Sequence, residues 1–186
     1  MTVLAAVLDS RAHTAAMGGD TQATYGYTKV PSGPKIVKRG NVLYGFSGCQ
    51  AYFRFLNEIP DEPPPANWLN ALADQWFAWA KERGHGKQND EGTLLLDGRI
   101  LVAAPSGLWT LDGDGAVTRH DVYAAIGSGA EVALGSLYST DFDRPYATCS
   151  LHPTVRVRLA VEAAIEHAVG CGGEPRVLTV EAEDRP

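Results

Sequence analysis

Apolar residues at the start of the chain fall in short dense runs broken by polar turns. Val3-Leu4-Ala5-Ala6-Val7-Leu8 stops at Asp9-Ser10-Arg11, and Thr14-Ala15-Ala16-Met17-Gly18-Gly19 follows and ends at Asp20. Two such runs around a polar turn predict a strand hairpin. Residues 26–34 contain Pro31, Gly33 and Pro34 and are expected to form a loop, because proline cannot donate to a central ladder. Strands are predicted over 35–38 and 42–46, with Arg39-Gly40-Asn41 as their turn.

The period then changes. Ala51, Phe55 and Leu56 fall at helical spacing before the proline-rich stretch Pro60 to Pro65. Trp68, Leu69, Leu72, Trp76, Phe77 and Ala80 recur every three or four residues, the mark of an amphipathic helix with an aromatic face. Gly84-His85-Gly86 ends it, and the polar run to Gly92 is expected as loop. Four short strands are predicted over 93–96, 100–104, 108–111 and 116–118, punctuated by Asp97-Gly98 and by Asp112-Gly113-Asp114-Gly115. Tyr123 to Ile126 leads through Gly127-Ser128-Gly129 into an alanine-rich helix ending near Tyr138. After a loop with Pro145, His152 to Val169 reads as a long helix, and Arg176 to Val180 as a last strand. The order is strands, two helices, strands, two helices, strand. That segregation predicts an α+β fold in which helices cover antiparallel sheets. No repeat or linker divides residues 1–186, so one domain is expected.

Composition narrows the function. Sixteen basic against twenty-two acidic residues give a formal charge of −6, which offers no footprint for nucleic acid or anionic lipid. The three cysteines, Cys49, Cys149 and Cys171, lie far apart without metal-ligand spacing, and the five histidines are scattered. Neither a disulfide framework nor a metal site is expected, and no cofactor. No apolar run reaches the length of a membrane span, and no basic region precedes an apolar stretch at the N-terminus. A cytoplasmic location is the expectation.

The candidate chemistry begins at Thr2. Removal of Met1 would leave threonine first, and its free α-amine, with an ordinary pKa of about 7.7–8.0, could take the proton from its own hydroxyl. Asp20 closes the second predicted strand and Lys35 opens the third. A lysine near Thr2 helps keep the amine neutral, and a carboxylate orients the lysine. Gly48 follows the fourth strand, where its N–H could hold an oxyanion. Taken singly, these residues read as a turn aspartate, an edge lysine and a helix-entry glycine. Ser128 read locally is a helix cap.

Taken in order, the motifs form a combination. Gly19-Asp20-Thr21-Gln22-Ala23-Thr24 is followed by Lys35-Ile36-Val37, Tyr44-Gly45-Phe46-Ser47-Gly48, Ala125-Ile126-Gly127-Ser128-Gly129 and a late Gly172-Gly173. In this the chain resembles the proteasome β-subunit and HslV-like group of N-terminal nucleophile hydrolases. The resemblance implies an αββα sandwich of two antiparallel sheets between helical layers. It implies a threonine peptidase with Thr2 as nucleophile, Asp20 and Lys35 as the charge pair behind it, Gly48 as oxyanion donor, and Ser128 beside the N-terminus. It also implies a homo-oligomeric ring, hexameric or larger, fed with peptide or unfolded protein by an AAA+ ATPase.

The chain departs from that pattern in four places. The interval from Thr2 to Asp20 is longer, and Cys49 stands where a second glycine is common. The stretch His167-Ala168-Val169-Gly170-Cys171 holds no carboxylate where the family has an aspartate, and Pro60 to Pro65 has no counterpart. The missing aspartate and the proline-rich stretch support an alternative: a catalytically inactive structural or assembly protein of the same fold, for example a phage-encoded one, that keeps Met1. The aromatic helix is read as core or as subunit interface, and its width places it at or near a contact between subunits.

Overall fold

The structure is a computed structural model that describes residues 2–25, 28–61, 67–141 and 151–182. Strands β1 (Val3–Asp9) and β2 (Thr14–Gly19) form the expected hairpin, Leu4 opposite Gly19 and Asp9 opposite Thr14. Next come β3 (Gln22–Tyr25), β4 (Thr28–Pro31), β5 (Ile36–Arg39) and β6 (Val42–Gly48), then helices α1 (Tyr52–Glu58) and α2 (Trp68–Glu82). Strands β7 (Lys87–Gln88), β8 (Leu94–Leu95), β9 (Gly98–Ala104), β10 (Gly107–Asp112), β11 (Val117–His120) and β12 (Tyr123–Gly127) precede helices α3 (Ala130–Ser139) and α4 (Pro153–His167), and β13 (Arg176–Glu181) closes the chain.

Two antiparallel sheets carry the fold, a four-stranded one in the order β12-β1-β2-β13 and a five-stranded one in the order β11-β10-β9-β6-β5. Side chains alternate along β1: Leu4 and Ala6 face the second sheet and share a core with its Leu43 and Leu101 and with Met17 and Ile126 of their own sheet. Val3, Ala5 and Val7 face α3 and α4, among Leu137, Val157 and Val161. Both faces of the strand are covered, which is why its sequence is a continuous apolar run rather than an alternation. Outside the second sheet, α1 and α2 pack Tyr52, Phe55, Leu72 and Trp76 onto Tyr44, Phe46, Ile100 and Val102. The layers are therefore helix, sheet, sheet, helix, the αββα sandwich.

Three local expectations change. Residues 28–31 are strand rather than loop: β4 pairs with β3, and Pro31, which has no N–H, is tolerated because among the described residues this ribbon is two-stranded and no third strand calls for a donor there. Likewise Lys87–Gln88 pairs with Leu94–Leu95 in a small ribbon, so 94–95 does not join the main sheet. Most of the aromatic face of α2 packs inside the chain, with Trp68 and Phe77 half-buried at its edges. Trp76 is wholly buried against Phe46, Tyr52 and Phe77, and Trp79 is buried between Tyr52 and Phe55, with its Nε1 donating to Glu58 Oε2 at 2.9 Å. Leu134, Tyr138, Val155 and Leu159 on α3 and α4 are exposed instead. Residues 62–65 of the proline-rich stretch, with Pro145 and Cys149, lie outside the described residues. No helix among the described residues is long and apolar enough to cross a membrane.

Candidate active site

Thr2 enters β1 at the end of the sandwich where β2, β6 and β12 also terminate. It is buried, and it forms part of the wall of a cleft of about 610 Å³. Lys35, Gly48, Cys49 and Phe53 line the same cleft, with Thr24, Val30 and Pro31 of the β3–β4 ribbon. A small polar group at the foot of a partly apolar cleft is the ordinary form of a ligand site.

Behind the cleft sits Asp20, just past β2, with its side chain fully out of solvent. Its Oδ1 accepts from Lys35 Nζ at 2.6 Å and from Val3 N at 3.0 Å, and its Oδ2 accepts from Gly172 N at 3.2 Å. The buried carboxylate thus ties together β1, the entry to β5 and the turn before β13. Lys35 Nζ also donates to the carbonyl of Gln22. These contacts fix the ammonium at the cleft wall, paired with Asp20, its side chain only 12% exposed. A cation fixed there disfavours protonation of a neighbouring amine.

Gly48 ends β6 with φ of +131°, a conformation costly for any other residue, and a Cβ there would run into the Asp97 carbonyl. The glycine lets the chain turn out of the sheet at the rim of the cleft, where its backbone is exposed. Ser128 is not the cap of α3. That position belongs to Gly129, and no side chain caps the helix. The Ser128 hydroxyl instead accepts from Thr2 N at 3.2 Å and donates to Thr2 O at 3.3 Å, while Gly129 N also donates to Thr2 O at 3.3 Å. Gly127 makes this approach possible: its φ is +95° and a Cβ would collide with the Thr2 carbonyl.

All five residues singled out from the sequence are therefore gathered at one end of the sandwich. Thr2, Lys35 and Gly48 face the cleft, whereas Asp20 and Ser128 stand behind and beside Thr2. The turn 170–173, represented in the sequence pattern only by Gly172-Gly173, also belongs to the site. Gly170 O accepts from Gln22 Nε2 at 3.3 Å and from Thr24 Oγ1 at 3.4 Å, and Gly172 N holds Asp20. Cys171 Sγ lies 3.8 Å from Ser128 Oγ, and burial raises its thiol pKa. The late glycines and the Gln22-Ala23-Thr24 segment were the available signals, but nothing local in them says that they meet.

No protein-family model matches the sequence. The chain is 30% identical over 147 residues to the ATP-dependent protease subunit HslV of Pseudothermotoga lettingae, an alignment spanning 72% of this chain and 78% of that protein. Its fold is similar to that of Thiobacillus denitrificans BPH, with a TM-score of 0.79 at 23% identity over the whole of both chains. The same protein in complex with epoxomicin gives a TM-score of 0.78 at 23% identity, covering 97% of this chain and 98% of that one. HslV from Trypanosoma brucei gives a TM-score of 0.67 at 20% identity, over 98% and 100% of the two chains.

Proposed function

Because the chain belongs to the family of the protease subunit HslV, we propose that it is a threonine peptidase whose nucleophile is the Thr2 hydroxyl once Met1 has been removed. The observation that carries this reading is the placement of Thr2 in the cleft wall with Lys35 and Gly48, backed by the buried Asp20 carboxylate.

In the proposed reaction the Thr2 amine accepts the proton of its own hydroxyl, directly or through one water. The Oγ1 then attacks the carbonyl carbon of a peptide bond. The oxyanion that forms is held by the Gly48 N–H at the cleft rim. As the intermediate collapses, the ammonium returns its proton to the leaving amine, and an ester to Thr2 remains. Water, deprotonated by the same amine, hydrolyses that ester and restores the site. Lys35 acts electrostatically, keeping the amine unprotonated and favouring the developing alkoxide. Asp20 holds Lys35 in place, and Ser128 fixes the backbone of Thr2. The mostly apolar walls from Val30, Pro31 and Phe53 suit an extended peptide with an uncharged side chain. The subunit is expected to work in a ring with an ATP-dependent partner.

Intact mass and labelling test this reading together. The purified chain should have lost the mass of Met1, and an epoxyketone should add to Thr2. Thr2→Ala should abolish the adduct, and Lys35→Ala should slow its formation by about 10²-fold or more. A chain that keeps Met1 uniformly, or an adduct persisting in Thr2→Ala, would refute it. Met1 retention would favour the inactive assembly protein.

A further inference from the structure

Cys171 lies in the turn after α4, 2% exposed, between Gly170 and Gly172. Its sulfur is packed on the turn that leads into α3: a Cβ added to Gly129 would come within 2.8 Å of Sγ. Ser128 Oγ, 3.8 Å from Sγ, is already engaged on Thr2, accepting from its N and donating to its O. A serine hydroxyl has one proton and two acceptor lone pairs. With its proton on the Thr2 carbonyl and one lone pair on Thr2 N, the hydroxyl keeps a lone pair that can accept the S–H of Cys171. The next residue, Gly172, donates its N–H to Asp20 Oδ2 at 3.2 Å. One dipeptide thus reaches Ser128 through a side chain and Asp20 through the backbone.

We propose that Cys171 is a positioning residue for Thr2: its thiol donates to Ser128 Oγ and locks that hydroxyl onto Thr2 without placing a negative charge beside it. This rests on the reading of Thr2 as the mature N-terminus. The charged groups facing the thiol are Asp20 and Lys35, paired with each other, and the N-terminal ammonium, which with Lys35 pulls the thiol pKa down against Asp20. Burial keeps the sulfur protonated. The Thr2 amine is then flanked by a neutral hydroxyl and a neutral thiol, and it sheds its proton at lower pH than it would beside a carboxylate.

The test uses the chain released with Thr2 first and isotope-labelled at the threonine nitrogen, its amine titrated by NMR. Cys171→Asp should raise the midpoint by about 0.5–1 pH unit, while Cys171→Ser leaves it in place. An unmoved midpoint in a folded Cys171→Asp chain overturns the proposal. If that variant loses its cooperative melt, Cys171→Ser and Cys171→Ala decide. The amine signal should keep its position with serine, which retains a donor, and move with alanine. Identical signals in both overturn the proposal. Epoxyketone labelling of the same samples reads the peptidase question separately. A midpoint that shifts as expected while Thr2 never acylates refutes the peptidase and leaves Cys171 its role. Normal acylation with an identical pH profile in Cys171→Asp refutes the role of Cys171 alone.

Discussion

Asp20→Asn is the substitution that most directly probes how the site is held. The carboxylate is fully buried and only accepts: Val3 N and Lys35 Nζ donate to Oδ1, and Gly172 N donates to Oδ2. An asparagine fits the same volume but offers one oxygen and one NH2. Whichever way the amide is turned, its NH2 points at a donor, either Gly172 N or the Val3 and Lys35 pair. One buried N–H left unpaired costs about 1–3 kcal/mol. Replacing a charge-assisted bond from Lys35 by a neutral one costs about 1 kcal/mol more, partly offset because Lys35 keeps the Gln22 carbonyl. The expected loss is about 2–4 kcal/mol, in line with the lower range for breaking a buried ion pair. With a urea slope of about 2 kcal/mol/M, the unfolding midpoint should fall by about 1–2 M. Circular dichroism against urea measures it directly. A fall of less than about 0.3 M, with the slope unchanged, would refute the view that Asp20 is the buried tie between β1, β5 and the 170–173 turn.

Three other outcomes follow from the packing and the charges. Trp76→Ala should destabilise by about 3–5 kcal/mol in urea unfolding, because the indole is fully enclosed by Phe46, Tyr52 and Phe77; a loss below about 1 kcal/mol would contradict its assignment to the core. Burial lowers the pKa of His120, against the pull of Asp112 and Asp121, and Thr110 Oγ1 lies 3.1 Å from its Nε2. The unfolded chain therefore protonates first, so stability present above about pH 6.5 is lost as pH falls toward the folded pKa. His120→Gln should flatten that acid-side decline in Tm, and an unchanged slope would remove His120 as its source. Leu134 and Tyr138 on α3, and Val155 and Leu159 on α4, are exposed one turn apart on each helix. If this face joins subunits, the wild type should show a mass several times the monomer by light scattering and Val155→Glu with Leu159→Glu should reduce it; a monomeric wild type would defeat the ring.

Elements whose evidence is local are legible in the residues alone. The β1–β2 hairpin follows from two apolar runs around a polar turn, and α2 from the spacing of Leu72, Trp76 and Ala80. Thr2, Asp20, Lys35 and Gly48 stand out because each marks the end of a strand, and strand ends of one sandwich edge converge. Periodicity could not say what a face is packed against. The tryptophans of α2 have the same pattern whether they meet the second sheet or another subunit, and only the crossing of α1 and α2 over β6 and β9 decided for the core. Nor could it foresee that Pro31 ends a strand, since an isolated ribbon tolerates what a central strand does not. The contacts of Gly172 with Asp20 and of Cys171 with Ser128 join residues 152 and 43 positions apart. Such meetings are set by the order β12-β1-β2-β13, which brings the end of α4 back over the start of the chain. Strand order is a property of the whole burial problem, because each sheet must cover one face with helices and the other with its partner sheet, and no short window of sequence contains that solution.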